Sequence, residues 1–204
     1  MAFSDKYNLS LPKTQYELRK IEVLWISPKA TNSQKEKERI QRLLKERDNI
    51  SVKLENIFIA NSKKNPIKYI PKEIGYLKNL KALSLDNNQI KEIPVSIGNL
   101  TNLEILGLTI NPILDFKKSF EILEKLPHLT KLFLESNKIK ELPKEIGNLS
   151  NLTVLSLYDN QIKELPKEIG NLSNLTVLRL WSNKINSSEK EKIRKLLPNC
   201  KIIF

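Results

Sequence analysis

Seven side chains in the second half of the chain have types and spacings that could do chemistry together: Phe133, Glu135, Ser156, Tyr158, Asp159, Arg179 and Trp181. Tyr158 and Trp181 stand 23 residues apart, as do Ser156 and Arg179. Phe133 and Glu135 precede Ser156 and Tyr158 by the same interval. Tyrosine, tryptophan and arginine dominate the energy of protein interfaces, at about 2 kcal/mol or more for each true hot spot. The chemistry they offer is recognition.

Catalysis finds no comparable set. His128 is the only histidine and lacks any obvious nucleophile partner, so it reads as a surface residue. Four of the five glycines recur at one repeated turn position and Gly107 stands alone, which leaves no phosphate-binding loop or dinucleotide fingerprint. No Cys/His cluster has metal-ligand spacing. Acidic residues are many, but they alternate with lysines in pairs such as Lys140-Glu141 and Lys163-Glu164, a pattern of solvated surface. We expect no enzyme, no cofactor, no metal and no small-molecule substrate.

The 23-residue interval comes from internal repetition. Residues 142–157 read LPKEIGNLSNLTVLSL and residues 165–180 read LPKEIGNLSNLTVLRL. A fixed period of a few tens of residues marks a solenoid, whose units bury their apolar faces only by stacking. Taking the leucine that opens each LxxLxL as position 1 gives Leu54, Leu80, Leu103, Leu129, Leu152, Leu175 and a degenerate Cys200. Each LxxLxL is a short strand with leucines inward. Residues at positions 3, 5 and 7 point outward from a parallel concave sheet. Position 5 reads Phe58, Ser84, Gly107, Phe133, Ser156, Arg179 and Phe204; position 7 reads Ala60, Asp86, Thr109, Glu135, Tyr158 and Trp181. Between the two near-identical copies only positions 156, 158, 159, 161, 163 and 164 differ from their counterparts, and the first three lie on or beside the concave strand.

The segment LxxLxLxxN, continued by LPKEIGNLxNL, resembles the leucine-rich repeat proteins, and the 23-residue unit is similar to repeats from pathogenic spirochaetes. The resemblance spans residues 54–204. It implies an α/β fold: a right-handed leucine-rich repeat solenoid with a parallel concave β-sheet, short convex turns or 3₁₀ segments, and helical caps at both ends. It also implies a non-enzymatic protein-binding module, a bacterial surface or secreted protein engaging host or partner proteins on its concave face.

The remaining features fit around this frame. Asn88, Asn111, Asn137, Asn160 and Asn183 fall where each strand turns away, placed to bond the backbone of the neighbouring turn. Pro71, Pro94, Pro143 and Pro166 set the backbone entering the convex segment. Gly75, Gly98, Gly147 and Gly170 end it, where positive φ or close packing is needed. The third unit lacks the Pro-x-x-Ile-Gly and carries Phe116, Phe120 and Leu123 at helical spacing, so a helix is expected over 115–126. Residues 1–53 read as an N-terminal strand–helix cap, with a strand at 21–26 containing Trp25 and a capping box at Ser33–Glu36. A second box, Ser188–Glu191, opens a C-terminal helix that Pro198 stops, followed by a last strand from Cys200, whose thiol takes a buried leucine position.

The net charge of +12 raises a rival: binding of an anionic polymer such as a glycosaminoglycan, lipopolysaccharide or nucleic acid. The interleaved acids and the lack of basic–aromatic clusters weigh against a nucleic-acid track. No apolar run approaches the ~18 residues of a membrane span. The first ten residues carry no secretory leader pattern, so only the resemblance favours a secreted or surface address. A monomer is favoured.

Overall fold

The structure is a computed structural model and describes residues 56–59, 68–70 and 72–204. The expected N-terminal cap, with its strand at 21–26 and capping box, lies outside the described residues. So do Trp25, Ala60 and Pro71.

Among the described residues seven parallel strands form one sheet in strict chain order. They are β1 (Asn56–Ile59), β2 (Leu80–Ser84), β3 (Ile105–Gly107), β4 (Lys131–Phe133), β5 (Val154–Ser156), β6 (Val177–Arg179) and β7 (Lys201–Ile203). The opposite side of each coil is a 3₁₀ segment: Lys72–Tyr76, Val95–Asn99, Lys144–Asn148 and Lys167–Asn171. Helix α1 (Phe116–Leu123) replaces it in the third unit, and α2 (Ser187–Leu196) follows β6. Between strands and convex segments lies one continuous core, in which Leu83, Leu106, Leu132, Leu155 and Leu178 stack fully buried.

The repeat chemistry explains each piece. Pro94, Pro143 and Pro166 stand just before their 3₁₀ segments at φ −70°, −71° and −63°, which the pyrrolidine ring favours. None of the turn glycines has positive φ, and at two of them space is the reason for glycine. A Cβ on Gly75 would stand 2.6 Å from the Ser96 carbonyl oxygen, and one on Gly147 2.7 Å from that of Glu168. Each coil thus nests against the next.

The asparagines form a ladder through the buried turn. Asn160 donates to the Leu157 and Leu134 carbonyls at 2.9 and 3.0 Å, and its Oδ1 accepts from the Asn137 and Ile139 amides at 3.0 Å. Asn137 and Asn183 bond the preceding coil in the same way. Buried backbone groups must be paired, and the ladder pairs those that the sheet and the 3₁₀ segments leave over.

Helix α1 forms as its spacing predicts. Asp115 caps it by accepting from the Lys118 amide at 3.1 Å, and Phe120 and Leu123 are buried. At α2 the cap lies two residues before the expected one. Asn186, not Ser188, accepts from the third amide of the helix, that of Glu189, at 2.9 Å. Glu189 is then free to accept from the Leu165 amide of the preceding coil at 3.0 Å, which ties the helix to the array.

Register at the two outer strands also differs from the expected alignment. Phe58 pairs with Leu83 rather than Ser84, because the register of β1 shifts between Asn56 and Ile57. Ile203, not Phe204, pairs with Arg179. Cys200, Ile202 and Phe204 consequently pack on the core side, half-buried, so Cys200 is one residue off the first leucine position and Phe204 leaves the concave row. Phe204 lies instead beneath α2, with Lys190 Nζ 5.2 Å and Arg194 Cζ 5.0 Å from its ring centre.

Candidate functional site

The concave face is built by β2 to β6 and the residues just beyond them. Register places Gly107, Phe133, Ser156 and Arg179 side by side across four strands. Two residues further on, the next outward row runs Asp86, Thr109, Glu135, Tyr158 and Trp181. All seven expected site residues therefore share one face or its margin, but they do not share its exposure.

Tyr158 and Trp181 stack. Their ring centres are 4.5 Å apart and the planes are within 5° of parallel. Strand spacing in a parallel sheet is about 4.8 Å, so identical positions on adjacent coils set rings at stacking distance. Trp181 keeps 45% of its surface exposed, whereas Tyr158 and Arg179 are half-buried. Asp159, at the margin, is exposed and accepts from the Ser136 hydroxyl at 2.7 Å.

The other three do not present themselves to solvent. Phe133 is 2% exposed, Glu135 1% and Ser156 0%. The expectation that outward positions stand free holds for Tyr158, Arg179 and Trp181 only in part, fails for Ser156 on the fifth strand, and fails from the second strand to the fourth, where Ser84, Asp86 and Thr109 are buried as well. Buried polar groups need partners. Thr109 donates its hydroxyl to Glu135 Oε2, and its amide to Asp86 Oδ1 at 2.8 Å. The Asp86 carboxylate fits because a glycine stands beside it: a Cβ on Gly107 would lie 2.8 Å from Asp86 Oδ1. The Ser156 hydroxyl has no hydrogen-bond partner among the described residues.

The electrostatics of the patch register on Tyr158. Its phenol is held above the ordinary value of 10.0, first by burial and then by the carboxylates of Glu135 and Asp159; Arg179 pulls the other way, and Asp86 adds a smaller upward push. Burial likewise pushes the Cys200 thiol up from 9.0, against a hydrogen bond with the Leu178 backbone. His128 is exposed. Among the described residues no group of three His, Cys, Asp or Glu side chains could hold a metal ion, and no helix is long and apolar enough to cross a membrane.

One feature of the repeat escaped the sequence reading. The residue at position 8 is left-handed in five successive coils: Asn87, Ile110, Ser136, Asp159 and Ser182, at φ between 54° and 60°. Four of the five are Asn, Asp or Ser, and the polar side chains among them are a signal that could have been read. Asp159 thereby belongs to a turn as well as to the site.

Family models match in two places: a leucine-rich repeat region over residues 113–197, and a leucine rich repeat over residues 79–100, together more than half of the chain. The chain belongs to the leucine-rich repeat family. The solved structures that resemble this leucine-rich repeat protein include a leucine-rich repeat protein of Leptospira interrogans, 34% identical, with a TM-score of 0.33. The similarity covers 72% of this chain and 55% of that one, so the leucine-rich repeat protein spans little more than half of its relative. No curated protein matches it.

Proposed function

We propose that this leucine-rich repeat protein is a non-enzymatic binding module that engages a partner protein at the C-terminal part of its concave face. Leucine-rich repeats generally serve as scaffolds for protein–protein interaction. The observation that carries the proposal is the flat Tyr158–Trp181 pair, with Trp181 45% exposed on a face where Phe133, also aromatic, is buried. Neither ring is needed by the leucine core, and an exposed indole stacked on a second ring is a pre-ordered anchor for an interface. The partner is met at a bacterial surface or outside the cell, as the likeness of the 23-residue unit to spirochaete repeats implies.

A pull-down from serum, extracellular matrix and cell lysate tests this, comparing wild type with a Tyr158→Ala/Trp181→Ala variant of verified fold. A partner held by wild type, lost by the variant and insensitive to salt supports the proposal. Capture that ignores the substitutions and disappears with salt would replace it with anionic-polymer binding through the basic surface. That rival has a candidate surface in the lateral groove where Lys140, Lys163 and Lys184 line up. The groove also holds Glu141, Glu164 and Glu189, which weaken its attraction for anions.

A further inference from the structure

The third coil breaks two rules of the repeat on one flank, and each break exposes an isoleucine. At position 8 the other coils carry Asn87, Ser136, Asp159 and Ser182; the third carries Ile110, left-handed like them and 41% exposed. Neighbouring coils hold it in that conformation. The Ile110 amide donates to the Glu135 carbonyl at 2.9 Å, and its own carbonyl accepts from the Asn88 amide at 3.1 Å. Three residues further on, Ile90, Ile139 and Ile162 are buried in their coils, but here Leu114 enters the core and Ile113 stands 50% exposed. Pro112, between the two isoleucines, lines a cleft of about 420 Å³ together with Leu114, Phe116 and Ile139. Lys138, which also lines it, is left-handed at φ 61°, the only such residue outside position 8 among the described ones. Single exposed apolar residues are ordinary. Two in one turn, with strained backbone beside an apolar cleft, mark a binding surface.

The charged groups at this surface are mainly basic. Lys138 and Lys140 line the cleft, and Lys117 and Lys118 follow Phe116 in the first turn of α1. All four are exposed, and none forms an ion pair among the described residues. Against them stand Glu141 in the lining and Asp115, whose carboxylate caps α1. We propose that this flank docks a linear segment of a partner protein: one bulky apolar side chain seats in the cleft, and acidic residues beside it in that segment meet the lysines. Burial of the anchor supplies the affinity, while the carboxylates supply orientation and faster encounter. A polyanion would lack the anchor, and a basic segment would lack the second contact. The surface lies on the third and fourth coils, beyond the concave rows, and owes nothing to the Tyr158–Trp181 pair.

The experiment pans a display library of random linear peptides on the full chain, with an Ile110→Asn/Ile113→Ser variant as counter-selection. Both substitutions place polar residues at exposed positions, so the variant should fold, which a circular dichroism melt verifies. Peptides held by wild type and released by the variant are expected to share one Leu, Ile or Phe next to Asp or Glu. Replacing that apolar anchor by Ala should weaken binding about tenfold or more. Changing the acidic neighbours to amides should cost severalfold at low salt and less at high salt. Lys138→Gln/Lys140→Gln should reproduce that loss. The same peptides should still bind Tyr158→Ala/Trp181→Ala, so this assignment and the concave one stand or fall separately. An absence of peptides sensitive to the isoleucine substitutions would overturn the assignment, as would peptides indifferent to the loss of their carboxylates. So would light scattering in which wild type self-associates and the variant does not, since a second copy would then be the occupant.

Discussion

Ile110 holds the same backbone conformation as Asp159 two coils later, φ +55° against +54°. Aspartate tolerates the left-handed region because its short polar side chain can bond locally, whereas a β-branched residue crowds its own carbonyl there. Ile110 is also 41% exposed, so its side chain recovers little by burial. Ile110→Asn should therefore stabilise the fold by about 1 kcal/mol. Urea unfolding measures this as a higher midpoint with an unchanged slope; an equal or lower midpoint would show that the isoleucine is held by packing worth more than its strain.

The raised Tyr158 pKa gives a stability signature at high pH. A group whose folded pKa lies above its unfolded value stabilises the fold fully below the unfolded value, and that contribution fades as pH rises through the folded one. The window therefore opens near 10.0 and closes at the elevated phenol value. Wild type should lose more stability across it than Tyr158→Phe does. Glu135→Gln should lower the phenol pKa and Arg179→Met should raise it, read by the ultraviolet absorbance of tyrosinate.

Gly147 and Gly170 occupy the same repeat position but not the same space. A Cβ at Gly147 meets a backbone oxygen at 2.7 Å, whereas one at Gly170 meets the Leu196 side chain and carbonyl oxygen at an ordinary 3.4 Å. Gly147→Ala must push two coils apart and should cost about 1–3 kcal/mol. Gly170→Ala should be neutral or mildly stabilising, through the reduced freedom of the unfolded chain. Thermal melts of the two variants decide it; equal losses would mean that the coils yield more easily than their geometry suggests.

Asn160 serves four buried backbone groups. Asn160→Leu keeps the volume and orphans all four, so a loss of roughly 3 kcal/mol or more is expected. Asn160→Asp keeps the acceptor and forfeits the donors, and should fall between. The order wild type, aspartate, leucine in chemical denaturation is the check.

Much of this was legible in the sequence because repetition multiplies each signal. The register of Leu103, Leu129, Leu152 and Leu175 is set by copies that confirm one another, and the same offset sets Tyr158 beside Trp181. Helix α1 was legible in the spacing of Phe116, Phe120 and Leu123. Where copies are lacking, the signal fails. Ile202 and Ile203 are adjacent and equally apolar, so alternation could not choose which faces inward, and Cys200 took the wrong place. Asn186 and Ser188 are both good caps two residues apart. The burial of Phe133 and Glu135 was hidden for a different reason: a period of two tells which face a side chain leaves from, but not how deeply it is buried once the chain has folded.

The third unit is three residues longer than its neighbours, and α1 absorbs the excess without disturbing the strands: Ile105, Leu106 and Gly107 still pair in step with Lys131, Leu132 and Phe133. Length is thus decoupled from alignment. The outer curve can take up insertions of a turn or so while the inner surface keeps its grid, and whole coils can be added or removed with only the two new junctions to satisfy. A surface organised in this way can be lengthened, or shifted along its axis, without redesign of the residues that do the recognising.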